Sequence, residues 1–271
     1  MSDPTTEPST FQRLKEKART VEIDGRTFYV LESDLLLDEA QLEEYAGARD
    51  RGDSPVVVEA DVDGGETHKL LGISRNGKML RWRPGKVLSY YVARETFPDD
   101  AAYRTAREAV RSAAEAWMEV CGVKFEYLAE MDGDPQARSE RAVFSVKYID
   151  VKGRFIAAAF FPGDPPERRV VIIDPSFYRP GLSFDRTGVL RHELGHVIGL
   201  RHEHIRDQAP VACDDEPLWD VFPLTEEYDP HSVMHYLCGG AGQRDLEITE
   251  LDRTGVVRLY GLPLSKFELI D

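Results

Sequence analysis

Residues 192–202 read HELGHVIGLRH, and no other stretch of the chain carries as much chemistry. His192 and His196 are four residues apart, so on a helix they lie on one face, one turn apart. Both imidazoles can then reach one ion. Glu193 lies next to His192 and points at the edge of that ion's open side. Gly199 suits a helix end, because glycine tolerates the left-handed turn found there. The chain then bends back and can present His202 as a third nitrogen. Three imidazoles leave one tetrahedral position for water, the layout of a catalytic rather than a structural zinc site. Zinc lowers the pKa of that water, and Glu193 can take its proton as base and later return it as acid to a leaving amine. Five residues at fixed spacing (His192, Glu193, His196, Gly199, His202) would match by chance in such a chain roughly once in 10⁵. Six of the seven histidines lie between His192 and His235, so histidine is concentrated where this chemistry would be.

The pattern around the motif is α+β. A helix is expected from about Asp185 to Leu200, backed by Val189, Leu190, Leu194, Val197 and Ile198. Upstream, strands are expected at Lys86 to Val92, Ala142 to Ile149, Phe155 to Phe161 and Val170 to Asp174, with a long amphipathic helix from Asp99 to Val120. Thr249 and Asp252 form a capping-box pattern for a last helix that stops at Gly261. Nearer the start, Asp24-Gly25 between two apolar runs predicts a hairpin, and Ser33 is a candidate cap for a helix through about Arg49. Residues 1–10 are expected to form a tail, and short strands at Pro55 to Ala60 and Lys69 to Ile73 are expected before an Asn76-Gly77 turn. The character changes at about Lys78. This divides the chain into 1–77, a tail with a small α+β segment, and 78–271, the domain that carries the motif.

The 271 residues are 42% hydrophobic and 31% charged, which excludes a disordered or fibrous chain. No apolar run reaches the roughly 18 residues a membrane-spanning helix needs. The formal net charge of −15 repels phosphate backbones and argues against nucleic-acid binding. Thirteen acids against Arg206 and Arg244 fall between Glu203 and Asp252, which predicts a preference for basic substrates. Of three cysteines, Cys213 and Cys238 are the more plausible pair, with three free thiols as the alternative.

With Ser232-Val233-Met234-His235-Tyr236 downstream of HELGHVIGLRH, the chain resembles the metzincin metallopeptidases, whose signature is this zinc motif followed by a Met-turn. The S-x-M-H-Y form and Glu203 resemble the astacin branch, as do RWRPGKVLSYYV and AEAWMEVCGVKFEYL. AAAFFPGD, at Ala157 to Asp164, is more similar to the matrixins. The resemblance implies a metzincin-like catalytic domain, with a twisted mixed sheet, two helices above a cleft, and an irregular lower subdomain with a C-terminal helix. It implies a zinc endopeptidase with His192, His196 and His202 as metal ligands, Glu193 catalytic, Met234 beneath the ligands, and Tyr236 as a fifth ligand that swings away to stabilise the oxyanion. The strand bordering the cleft would hold an extended peptide. A non-catalytic zinc-containing recognition module and a small-molecule zinc amide or ester hydrolase are the alternatives.

Other side chains have two readings each. His204, His231 and His235 are expected near the site as supporting or surface groups, and Asp207 or Asp229 as an orienting carboxylate. Phe161 to Asp164 reads as a Pro-Gly turn, with its match to the F-x-G-D motif of astacin propeptides as the other reading, and Asp214-Asp215-Glu216 as a solvated acidic face, with calcium binding as the other. The segment 1–77 is either an accessory subdomain or a latency element. The first cysteine is Cys121, so a latency element would act through a carboxylate, with Asp53, Asp61 and Asp63 as candidates. The resemblance implies secretion. No signal peptide is visible in MSDPTTEPSTFQRLKEKART, which leaves the cytoplasm as the alternative.

Overall fold

The structure is a computed structural model that describes residues 8–23, 25–31, 33–50, 70–75, 78–134, 141–206, 209–210, 213, 221–225 and 227–267. The strand expected at 55–60 and the Asn76-Gly77 turn lie outside these.

The chain opens with helix α1 (Thr10–Lys17), capped by Ser9 and Gln12 in a capping box. An antiparallel sheet follows, β1 (Arg19–Ile23), β2 (Arg26–Leu31) and β3 (Leu35–Leu37), and then helix α2 (Glu39–Asp50). Ile23 pairs with Arg26, as the expected hairpin requires, and Gly25 stands at φ 73°, where a side chain would be strained. Of the tail expected over 1–10, residues 1–7 lie outside the described residues and Thr10 already opens α1. One expectation fails here. Ser33 caps nothing: it sits at φ 67° in the β2–β3 turn, and Leu35–Leu37 form a strand with alternating burial. The helix instead begins after Asp38, whose Oδ1 accepts from Gln41 N (2.9 Å) while Gln41 Oε1 accepts from Asp38 N (3.2 Å).

The second body is built on a mixed sheet. Strands β4 (Leu71–Arg75) and β5 (Lys78–Met79) precede β6 (Val87–Val92), helix α3 (Asp100–Val120), β7 (Lys124–Tyr127), β8 (Phe144–Tyr148), β9 (Ala157–Ala158), β10 (Val170–Ile173), helix α4 (Arg186–Val197), β11 (Val221–Pro223) and helix α5 (Glu250–Tyr260). The main sheet runs β7-β6-β8-β10-β9, parallel except for β9, which is antiparallel on the edge. Only Ala157 and Ala158 of the expected strand 155–161 join the ladder; Phe160 and Phe161 turn into apolar clusters instead. Strand β7, which sequence reading did not mark as a strand, is short, with burial alternating along Lys124–Tyr127.

Helix α3 lies on the sheet through Ala106, Ala109, Ala113 and Ala114, small enough for close approach, and through Trp117, which is wholly buried. Trp117 also links α3 to α4, donating its indole N–H to Arg191 O at 2.8 Å. A smaller sheet, β11-β4-β5, joins residues before Lys78 to the later chain. Leu70 packs in the main core, so the stretch 70–75 is woven into the second body. Cys213 and Cys238 form a disulfide, and Cys121 is a buried free thiol. Among the described residues no helix is long and apolar enough to cross a membrane.

Candidate metal centre

Helix α4 is fixed at both ends. Asp185 caps it by accepting from Gly188 N at 2.7 Å. At the far end Trp82 donates to Val197 O and Tyr260 donates to Ile198 O, both at 2.7 Å. These donors satisfy carbonyls that the helix itself leaves unpaired. Gly199 then turns the chain at φ 100°; a Cβ there would lie 2.9 Å from Leu80 O. Beyond it β4 takes over, with Ile73 N donating to Gly199 O (2.8 Å) and Arg201 N to Leu71 O (2.7 Å). His202 is therefore delivered by a segment held on a strand rather than by a free loop.

The Met-turn lies beneath. Met234 is fully buried, and a Cβ on Gly195 would overlap its sulfur and come within 3.2 Å of its Cε. A side chain at Gly195, between the two helical histidines, would force the methionine to shift. Asp252 holds the turn, accepting from Ser232 Oγ (2.6 Å), Val233 N (2.8 Å) and Thr249 N (3.0 Å). The expected capping box is thus also the brace of the Met-turn. Glu203 N donates to Met234 O at 2.9 Å and ties the His202 segment to the same turn.

The structure brings His192, His196 and His202 together, all buried. His192 Nδ1 lies 2.8 Å from Val233 O, and His196 Nδ1 lies 2.8 Å from Leu200 O. A carbonyl only accepts, so each Nδ1 carries the proton and each Nε2 offers a lone pair. His196 Nε2 and His202 Nε2 are 3.1 Å apart. Burial, then the neighbouring His202, pushes the His196 imidazole well below its usual pKa, which keeps it neutral.

A fourth group completes the cluster, and sequence reading missed it. Asp34, from the β2–β3 turn, reaches in with Oδ1 3.2 Å from His202 Nε2 and 3.8 Å from His196 Nε2, and Oδ2 3.5 Å from His192 Nε2. Tyr236 donates its hydroxyl to Asp34 Oδ2. Burial alone would raise the Asp34 carboxyl, but His202, His192 and His196 hold it well below the carboxylate range. Glu193 is raised well above that range by burial and then by the charge of Asp34. The signal in the sequence was a short acid after an apolar run, at a turn before Leu35-Leu36-Leu37.

The donor set fits zinc. His192 Nε2 and Asp34 Oδ1 are buried with no hydrogen-bond partner among the described residues, and both face the same point. Imidazole lone pairs converging with a carboxylate need a cation between them, and a nitrogen and oxygen set of this kind is characteristic of zinc.

The other candidates fall into place around this centre. The Tyr236 ring stacks on His192 (centroids 5.5 Å) and lies 4.5 Å from the rings of both His202 and His204. Burial lowers the His204 pKa to about 2. His235 is turned away, 2.7 Å from the Tyr228 hydroxyl, and His231 is exposed. Asp229 accepts from Thr249 Oγ1 (2.5 Å) and His231 N (2.8 Å), bracing the turn rather than orienting an imidazole. Glu203 pairs with Arg206 at 2.7 Å, and burial raises its pKa to about 8. Asp164 closes the Phe161 turn through Phe161 N at 2.9 Å. Asp53, Asp61, Asp63, Asp207, Asp214, Asp215 and Glu216 lie outside the described residues. A cavity of about 530 Å³ adjoins the centre; His192, Glu193 and Tyr236 line one part, Phe184, Val189 and Leu246 another.

The family model of the matrixins (peptidase M10) matches residues 81–211. Among solved structures, myroilysin is similar at 15% identity and a TM-score of 0.47, with 70% of this chain and 98% of that chain covered. High choriolytic enzyme 1, a hatching enzyme zinc-protease from Oryzias latipes (medaka fish), is similar at 16% identity and a TM-score of 0.42, with 68% of this chain and 95% of that chain covered. The matrixin match covers a little under half of the chain, spans His192, Glu193, His196 and His202, and supports the resemblance to the metzincin zinc metallopeptidases.

Proposed function

We propose that the chain is a zinc endopeptidase of astacin type, held latent by its own N-terminal segment. The observation that carries this is Asp34, a side chain of that segment, seated among His192, His196 and His202. Those three histidines would hold the ion, with Asp34 as an added ligand in the latent form. Zinc bound there supplies a Lewis acid that acidifies a water and polarises a peptide carbonyl. Glu193, on the cavity wall beside His192, takes a proton as general base and returns it to the leaving amine as general acid. Tyr236 has its hydroxyl engaged by Asp34; relieved of it, that hydroxyl becomes a donor for negative charge developing on the carbonyl oxygen, or a further ligand. Met234, packed on Gly195, supports the floor beneath the histidines.

Peptides rather than small molecules are favoured because a turn of polypeptide already reaches the centre, and because β9 lies on a sheet edge where an extended chain can add backbone hydrogen bonds. The net charge of −15 supports a preference for cationic proteins. The Cys213–Cys238 bond supports residence in an oxidising compartment outside the cytosol. The test is casein cleavage by the activated chain, by its Glu193→Ala form, and with a chelator. Loss in both supports the mechanism; cleavage that persists in Glu193→Ala rejects it.

A further inference from the structure

We propose, resting on the latency role given to Asp34, that residues 9–50 are a docking unit that stays seated after the chain between residues 50 and 70 is cut, so that one scission there does not activate the enzyme. The unit has its own sheet, β1-β2-β3, and among the described residues none of these strands pairs with a strand of the second body. It is held by side chains instead. One apolar cluster joins Tyr29, Leu35, Leu37 and Leu42 to Phe161. A second joins Val21 and Val30 to Ala158 and Ile172 of the main sheet and to Val151 and Phe155 in the β8–β9 connection. Beside the second grip lies a cavity of about 570 Å³, bounded by Phe28 and Leu36 on one side and Tyr91 and Ile172 on the other.

Arg168 bridges the rim of that gap. Its side chain is 10% exposed; it pairs with Asp38 at 2.8 Å, donates to Leu36 O at 3.0 Å and to Gln41 Oε1, and lies 5.4 Å from the Phe28 ring centre. Gln41 Nε2 in turn donates to Asp164 Oδ1 at 2.9 Å. On the other side of the cut, Leu70 and β4 belong to the second body, where β4 pairs with β11 and holds the segment that delivers His202. A scission between 50 and 70 therefore leaves the described elements on each side intact. The covalent link adds to this interface only an effective concentration. An interface of two apolar clusters and a buried arginine fork does not depend on it at micromolar protein.

The experiment uses the full chain with a recognition site for a sequence-specific protease placed between Asp50 and Leu70. After cutting, size exclusion and fluorogenic-peptide turnover are followed from micromolar to low nanomolar concentration. The expected result is that the pieces co-elute at micromolar concentration with turnover still at the uncut level, and that turnover rises on dilution as they part. Arg168→Ala, and Gln41→Ala from the other side, raise the concentration of half-separation by about tenfold or more. Pieces that separate at micromolar concentration, with immediate turnover, overturn the proposal. An uncut chain already as active as its Asp34→Ala form would instead defeat the latency role itself, which the co-elution does not touch.

Discussion

Replacing Asp34 by alanine in the uncut chain removes the carboxylate that, among the described residues, faces the three buried imidazoles. The side chain is itself 7% exposed, so solvent screens little of this interaction. It lies 3.2–3.8 Å from the three Nε2 atoms and accepts the Tyr236 hydroxyl. Removing one member of a buried charge cluster costs about 3–5 kcal/mol. In this chain that loss falls on the closed arrangement alone. The open population should therefore rise by roughly two to three and a half orders of magnitude, at 1.4 kcal/mol per factor of ten. Ser33, a non-glycine residue at φ 67°, adds a backbone cost of roughly 1–2 kcal/mol to the closed turn and favours the same direction. The apolar clusters that seat residues 9–50 are untouched, so the unit stays near and activation is incomplete. The assay is fluorogenic-peptide turnover by uncut wild type, Asp34→Ala, and Asp34→Ala with Glu193→Ala, at matched zinc content. Turnover in Asp34→Ala within about threefold of wild type, with the protein folded and zinc bound, refutes this reasoning, because a 3 kcal/mol loss cannot hide in that margin.

Gly195→Ala should destabilise the chain by roughly 1–3 kcal/mol in urea unfolding, although alanine is the better helix former, because the new methyl overlaps Met234. Combining it with Met234→Ala should recover at least about 0.5 kcal/mol of that cost, and additive losses would show that the two do not touch. Burial raises the Asp252 pKa to about 6 from the usual 3.8, so this acid binds its proton more tightly folded than unfolded. Its contribution to stability is complete below pH 4 and is lost as the pH rises to about 6, an expected fall of about 3 kcal/mol relative to Asp252→Asn; a parallel pH profile for the two proteins counts against it. Reducing Cys213–Cys238 opens a loop of 25 residues and should cost about 3 kcal/mol of stability, read as a lower urea midpoint in reductant.

The centre was legible where chemistry and periodicity coincide. His192, Glu193 and His196 could be placed because helical spacing fixes which side chains share a face, and Gly199 because a left-handed exit at φ 100° needs glycine. The long helix α3 and the capping box at Thr249 were legible for the same local reason. Asp34 was not, because nothing in a short turn announces which distant surface it will meet; its partners lie more than 150 residues away. The second duty of Asp252, bracing the Met-turn, was hidden in the same way. Ser33 was misread because serine before an acidic, leucine-rich run satisfies a helix-cap pattern and a hairpin turn equally well, and pairing of Leu35–Leu37 with β2 decided between them. The short edge strand β9 was overextended because Phe160 and Phe161 have strand propensity but bury into two different clusters.

The most direct test is zinc analysis and X-ray absorption on the uncut chain, beside its Asp34→Ala form. One zinc per chain, bound by imidazole nitrogens and a carboxylate oxygen that disappears in the variant, is the expected result. A chain that binds no zinc, or whose zinc environment is the same with and without Asp34, would contradict the shared centre of His192, His196, His202 and Asp34.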